Sequence, residues 1–315
     1  MKIAALVMLL GVLLAGGFFA AYRGGSALGQ QWHRVKEAPA SERVVSQARN
    51  ATPDDVQQML APYAEPLQES ERPLMRIALE AMPRDEATAS KVGGGAWWPH
   101  GESAPVDAQG RALTLLAQLN FAELPRPLPG YPQQGLLQIF VATDDDVYGA
   151  TLDNMESQRQ QRNFRIVYRP QLQGASMVLP AVAGARLPLD PAVPRRMRFT
   201  VDTEPMTRGD YRFDRMMDHG LDGILRAYAA QHQLDEDSLL DALWEAYDGG
   251  GHKLGGYPAF TQEDPRSDGM DELLLQLDSD DAMMWGDSGV ANFFISPEDL
   301  KRRDFSRVAY HWDCH

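Results

Sequence analysis

The sequence predicts an α+β fold, predominantly antiparallel β. It reads as an internally duplicated strand-rich unit with a helical insert, preceded by an N-terminal membrane segment. Three observations predict it: four sequence blocks that recur in the same order, period-two alternation within those blocks, and a helix-period stretch between the two sets.

The recurring blocks come first. "SKVGGGAWWP" at 90–99 matches "HKLGGYPAF" at 252–260 in Lys-x-Gly-Gly followed by an aromatic residue and a proline. "LTLLAQLN" at 113–120 matches "ELLLQLDS" at 272–279, each with a Gln inside the apolar run. "GLLQIFV" at 135–141 matches "GVANFFI" at 289–295, and "FRIVYR" at 164–169 resembles "FSRVAYH" at 305–311. The long blocks alternate, with Leu113, Leu115, Ala117 and Leu119 on one face and Leu273, Leu275 and Leu277 likewise, as half-buried strands do. "PLMRIALEAMP" at 73–83 suggests a further strand before them.

The insert lies at about 214–250. Leu221, Ile224, Leu225 and Tyr228, then Leu239, Leu240, Leu243, Trp244 and Tyr247, recur at helical spacing. Asp235 or Asp237 suits the cap of the second helix, and Gly249–Gly251 its end. Residues 171–197, rich in Pro and Gly, read as surface loop. Repeat one spans about 90–170 and repeat two about 252–315, within a domain at 72–315.

Upstream, residues 23–71 read as a polar tether with short helices. One starts at Thr52, a capping residue followed by Pro53, Asp54 and Asp55. Residues 3–22, "IAALVMLLGVLLAGGFFAAY", hold twenty residues without a charge. At 1.5 Å per residue they span roughly 30 Å, the thickness of a bilayer core. Residues 1–22 are therefore expected to be a single-pass transmembrane anchor. A cleaved signal peptide is the rival reading, with Ala15-Gly16-Gly17 as the cleavage site.

Acidic residues outnumber basic ones 44 to 30, a net charge of −14. That balance repels phosphate backbones, so nucleic acid is not an expected partner and a basic protein is. Cys314 is the lone cysteine, so no intrachain disulfide and no Cys-rich zinc site is available. No catalytic motif is found, neither Gly-x-Ser-x-Gly nor His-Glu-x-x-His. The Gly pairs at 93–94 and 255–256 read as tight turns rather than phosphate cradles. No catalytic residue, metal or obligate cofactor is assigned.

Candidate binding residues fall in two places. Gln118 and Gln276 occupy matched positions, as an amide pair that either binds a ligand between the repeats or satisfies neighbouring backbone. The second place is "DSDDAMMWGD", with Asp278, Asp280, Asp281, Trp285 and Asp287, between two expected strands; His311 joins it from the terminal "HWDCH". Trp285 is expected to pack inward while the acids point out. Four acids there suit a hard cation in type, yet the spacing fails the EF-hand pattern. A run at Asp144–Asp146 reads as a solvated loop.

These blocks resemble the YwqG-like family of bacterial proteins over about residues 72–315. The strongest carriers are "KLGGYP", "LLLQLDSDDAMMWGDSGVANFFI" and "DFSRVAYHWDC", supported by "EPMTRGDYRF" at 204–213. The resemblance implies a predominantly β, duplicated fold and no established activity; some members resemble candidate immunity proteins of bacterial toxin systems. The expected function is a membrane-tethered, non-enzymatic binding protein of the cell envelope. It would sit on the bacterial inner membrane with its body on the periplasmic or extracellular side, as an inhibitor of a toxin. The alternatives are a metal-dependent hydrolase using Asp278, Asp280 and Asp287, or an envelope small-ligand receptor or scaffold.

Overall fold

The computed structural model describes residues 48–151, 153–217, 220–266 and 272–315. The apolar stretch at 3–22 and its expected anchor lie outside the described residues. Among those, no helix is long and apolar enough to cross a membrane.

The architecture is strand-rich and mostly antiparallel, with a few helices. Two short helices, α1 (Pro53–Leu60) and α2 (Ala64–Glu69), lead into the long strand β1 (Arg72–Ala81). Next come β2 (Lys91–Val92), β3 (Ala96–Pro99), β4 (Thr114–Asn120) and β5 (Leu136–Val141). The turn α3 (Met155–Gln158), β6 (Phe164–Arg169) and β7 (Ser176–Leu179) follow. A second long strand, β8 (Arg195–Glu204), opens the other half, followed by helices α4 (Tyr211–Arg215), α5 (Leu221–His232) and α6 (Glu236–Tyr247). Strands β9 (Lys253–Gly255), β10 (Glu272–Asp278) and β11 (Val290–Ile295), helix α7 (Pro297–Arg302) and strand β12 (Ala309–Asp313) complete it.

Ten of these strands form one sheet in the order β12-β11-β10-β9-β1-β8-β2-β4-β5-β6. Read outward from its centre, the sheet is the same twice: a long strand, a short Lys strand, then three more. The two long strands are exchanged. β1 precedes β2 in the chain yet pairs with β9, whereas β8 precedes β9 yet pairs with β2. They pair with each other along their full length, Arg72 opposite Glu204 and Ala81 opposite Arg195. Neither half can therefore complete its sheet without a strand from the other.

The correspondence reaches individual residues. Lys91 lies opposite Gln118, and Lys253 opposite Gln276. The ladder slips at the same place in both halves, between Leu115 and Ala117 and between Leu273 and Leu275. The outermost strands require a revision of the sequence matching. Gln138 faces Val167, and Asn292 faces His311. Val167 thus corresponds to His311, and Phe164 to Val308 rather than to Phe305.

The inner faces of the two halves share one core. Leu119, Ile139, Val141 and Ile166 belong to the same buried cluster as Leu275, Leu277, Phe293 and Ile295. Phe164 meets Tyr310 edge-on at 5.4 Å, and the Tyr131 hydroxyl donates to the Leu273 carbonyl at 2.6 Å. Burying apolar area of this kind is the main force holding the halves together.

Residues 53–69 do not behave as a tether. Val56, Met59, Leu60 and Leu67 pack with Leu221, Leu225, Leu239 and Leu243 of the helical insert. The predicted Thr52 cap is present as a capping box with Asp55, and Asp235 caps α6. The 171–197 region, expected to be loop, contains β7, and its last residues begin β8. "RRMRFTVDTE" alternates Met197, Phe199 and Val201 with Arg198 and Thr200, the period of a strand, and the loop reading of 171–197 cuts across its start.

Candidate functional site

The matched residues form a polar scaffold, repeated in the two halves. The Lys91 ammonium is fully buried and pairs with Asp85, and it also donates to the carbonyls of Glu86 at 3.1 Å and Gly95 at 2.7 Å. Asp85 accepts from the Gly95 amide at 2.6 Å. In the other half Lys253, equally buried, donates to Glu204 at 2.6 Å, and Glu204 accepts from the Tyr257 amide at 2.7 Å. Burial pulls both ammonium groups below the ordinary lysine value, while the paired acids push back. The Gly pairs serve this arrangement. Gly94 and Gly256 have positive φ, and a Cβ at either would collide with the carboxylate that holds the lysine.

The two glutamines complete the scaffold. Gln118 donates to the carbonyls of Ala87 and Ala89 at 2.9 and 2.8 Å; Gln276 donates to those of Gly249 and Gly251 at 2.9 and 2.8 Å. The Gln118 amide oxygen accepts from Gln138 at 2.8 Å, and that of Gln276 from the Ala259 amide at 2.7 Å. Both side chains are 0% exposed. This corrects the ligand-binding reading of the pair: their donors and acceptors are spent on backbone and neighbouring amides, which a buried amide needs.

The acidic loop divides in the same way. Trp285 is 0% exposed, within reach of Tyr148 at 5.7 Å, Trp312 at 6.0 Å and Tyr310 at 6.5 Å. It anchors the connection from inside the core. Asp278 accepts from the Gly251 amide at 2.6 Å and the Ser279 amide at 2.8 Å. Asp280 turns the chain by accepting from the amides of Ala282 and Met283, and its other oxygen lies 3.0 Å from the His252 ring. Asp281 and Asp287 face solvent. Asp278 and Asp280 thus gather round His252, whereas Asp287 lies beside Cys314. Among the described residues no three His, Cys, Asp or Glu side chains come together to hold a metal ion.

His311 belongs elsewhere. It lines a cleft of about 760 Å³ between α3, the segment 262–265 and the end of β12. The walls carry Asp146, Asp153, Glu263, Asp264 and Asp313, with no Lys or Arg among the lining residues. Asp146 pairs with Arg186 at 2.5 Å and Asp264 with the buried Arg266 at 2.6 Å. Asp313 accepts from the amides of Thr261 and Gln262. Asp153 and Glu263 are exposed and have no partner among the described residues. Burial lowers the His311 imidazole below its ordinary value, against the opposing pull of Asp313 and Asp264.

Beside His311, Gln158 is 1% exposed and its nitrogen lies 3.3 Å from Nδ1. Its amide oxygen is buried without a hydrogen-bond partner. Buried polar atoms are nearly always paired, so an orphan acceptor in the wall of a cleft is a feature to account for.

Of the residues predicted for binding, His311 alone lines this cleft; Asp278 lines a smaller one of about 310 Å³ on the other side of the 260–262 segment. Sequence reasoning missed Asp153, Gln158, Glu263 and Asp264. They come from two connections far apart in the chain, and the Asp144–Asp146 run was the sole local hint of an acidic wall.

Residues 90–314 match the family described as a domain of unknown function, DUF1963. The chain belongs to this family. The match begins one residue before the buried Lys91 and ends at Cys314, so the DUF1963 region includes both buried lysines, both glutamines and the acidic cleft, and leaves out Asp85. It leaves out β1, although β1 occupies the centre of the sheet. A comparison with curated proteins gave no match.

Proposed function

We propose that this DUF1963 protein acts by binding, as a non-enzymatic module of the bacterial cell envelope that receives a basic protein on the acidic face beside β12. The carrying observation is the 760 Å³ cleft whose walls hold five carboxylates and no Lys or Arg. Clefts lined by one sign of charge attract and orient partners of the other. The residues that recur between the halves are absorbed by the scaffold, and the cleft is built from residues the other half does not match. In this reading the two halves descend from an internal duplication, residues 3–22 tether the module to the inner membrane, and the periplasmic or extracellular body is an immunity-type inhibitor of a basic toxin.

Affinity capture with the full-length chain from native membranes tests it. The expected result is a basic protein retained at low salt, released as ionic strength rises, and lost when Asp153→Asn and Glu263→Gln are combined. A retained protein that is acidic, or that is indifferent both to salt and to the double substitution, would count against the reading.

A further inference from the structure

We propose that the His311 cleft is a socket for a single cationic side chain, and that it takes the guanidinium of an arginine in preference to the ammonium of a lysine. The inference deepens the binding-module reading and rests on it for the source of that side chain.

The cleft carries more negative charge than its own pairs neutralise. Of the five carboxylates, Asp146 and Asp264 are neutralised by Arg186 and Arg266, and Asp313 is held by two backbone amides. Asp153 and Glu263 are left without a partner among the described residues. The wall is therefore negative even after its internal pairs are subtracted.

Gln158 presents a buried amide oxygen that nothing satisfies, and the amide nitrogen beside it makes only long contacts, 3.4 Å to the Asp153 carbonyl and 3.3 Å to His311. An acceptor left open at such burial is costly unless a donor arrives. Once the Gln158 amide turns toward the cleft, a cationic N–H group supplies that donor and meets the carboxylates with its remaining protons.

The surface decides between the two cations. The cleft falls within the roughly 300–1,000 Å³ of ligand sites, and Trp312 forms part of its wall with its indole nitrogen donating to the Val147 carbonyl at 2.8 Å. An aromatic wall together with dispersed acceptors suits the planar, weakly hydrated, five-donor guanidinium better than the compact ammonium.

Calorimetric titration of the full-length chain with N-acetyl-arginine amide, N-acetyl-lysine amide and the neutral N-acetyl-citrulline amide tests the inference. Saturable binding is expected for the arginine amide, binding at least about threefold weaker for the lysine amide, and none for the citrulline amide. Asp153→Asn with Glu263→Gln should weaken the arginine amide about tenfold without moving the melting temperature, since both residues are exposed. Gln158→Met, which removes the open acceptor, should weaken it too. Absence of saturable binding, equal binding of citrulline amide, or full affinity in the Asp153/Glu263 variant would overturn the socket. Lysine amide binding as tightly as arginine amide would overturn the preference. A basic protein captured at low salt by a chain that ignores the arginine amide would remove the socket and leave the module reading in place. Arginine amide binding with no captured protein would do the reverse.

Discussion

The two halves of the sheet have the same skeleton and different outfitting. In both, a buried lysine from a short strand meets an acid, a glutamine ties two carbonyls, and a glycine pair clears room for the acid. The acid itself differs. Asp85 lies on the connection after β1 and is 33% exposed at its side chain; Glu204 ends β8 and is 7% exposed. Lys91 keeps two carbonyl partners besides its acid, whereas Lys253 has Glu204 as its one hydrogen-bond partner among the described residues. The connections diverge further. Residues 121–135 of the first half carry a short turn and Tyr131, while 279–289 of the second carry Trp285 and the acids. At the outer strand Val167 is replaced by His311, the residue that opens on the cleft. The comparison teaches that what the halves share holds the fold, and that what the second half alone carries is available for function.

Substitutions can break this comparison, the largest effect coming from a residue without a counterpart. Trp285→Ala should cost up to about 5 kcal/mol, because it empties a fully buried aromatic site. Chemical denaturation measures it, and a loss under about 1 kcal/mol would show that the loop is not pinned by its indole.

The next effect separates the lysine scaffolds. Glu204→Ala strands a buried ammonium and should cost at least about 3 kcal/mol. Asp85→Ala should cost clearly less, since Lys91 retains the carbonyls of Glu86 and Gly95. Equal losses in urea melts would mean that the difference in burial between the two acids carries no weight.

The glutamines should behave alike. Gln118→Leu and Gln276→Leu each leave two carbonyls unpaired and should each cost about 1 to 3 kcal/mol. A large disparity between them would argue that one amide does something the other does not.

A pH series sharpens the contrast from the second half's side. Asp210, 2% exposed, is held by Arg212 and Arg266 near a pKa of about 2 despite its burial, with Asp264 on the same arginine. A carboxyl lowered on folding stabilises above its unfolded value, roughly 3.9, and that contribution fades as pH falls through the folded one. Stability should therefore decline between about pH 4 and pH 2, with a shallower slope in Asp210→Asn. Thermal melts across that window check it. The smallest effect belongs to a solvent-facing acid: Asp281→Asn should shift stability within about 0.5 kcal/mol.

The sequence by itself determined the strand-rich class, the matched blocks, the Thr52 cap and the pairing of Leu273–Leu277 with Val290–Ile295, and it narrowed the α6 cap to Asp235 or Asp237. Each of these rests on local periodicity or on a short-range hydrogen bond, and both are written in neighbouring residues. It also placed Trp285 inward. It did not determine that β1 and β8 change places, because two sheets with or without that exchange bury the same apolar faces. β8 does carry a strand's alternation at Met197, Phe199 and Val201, which the Pro- and Gly-rich stretch before it obscures. The cleft is the furthest from sequence. Gln158, Glu263 and His311 lie on three connections or strands more than a hundred residues apart from first to last, and only the packing of α3 against β12 and the 262–265 segment brings them to one wall. The amides of Gln118 and Gln276 teach the converse: their matched spacing drew attention to a site, and the tertiary structure alone showed that every polar bond they can use there is already spent inside the fold.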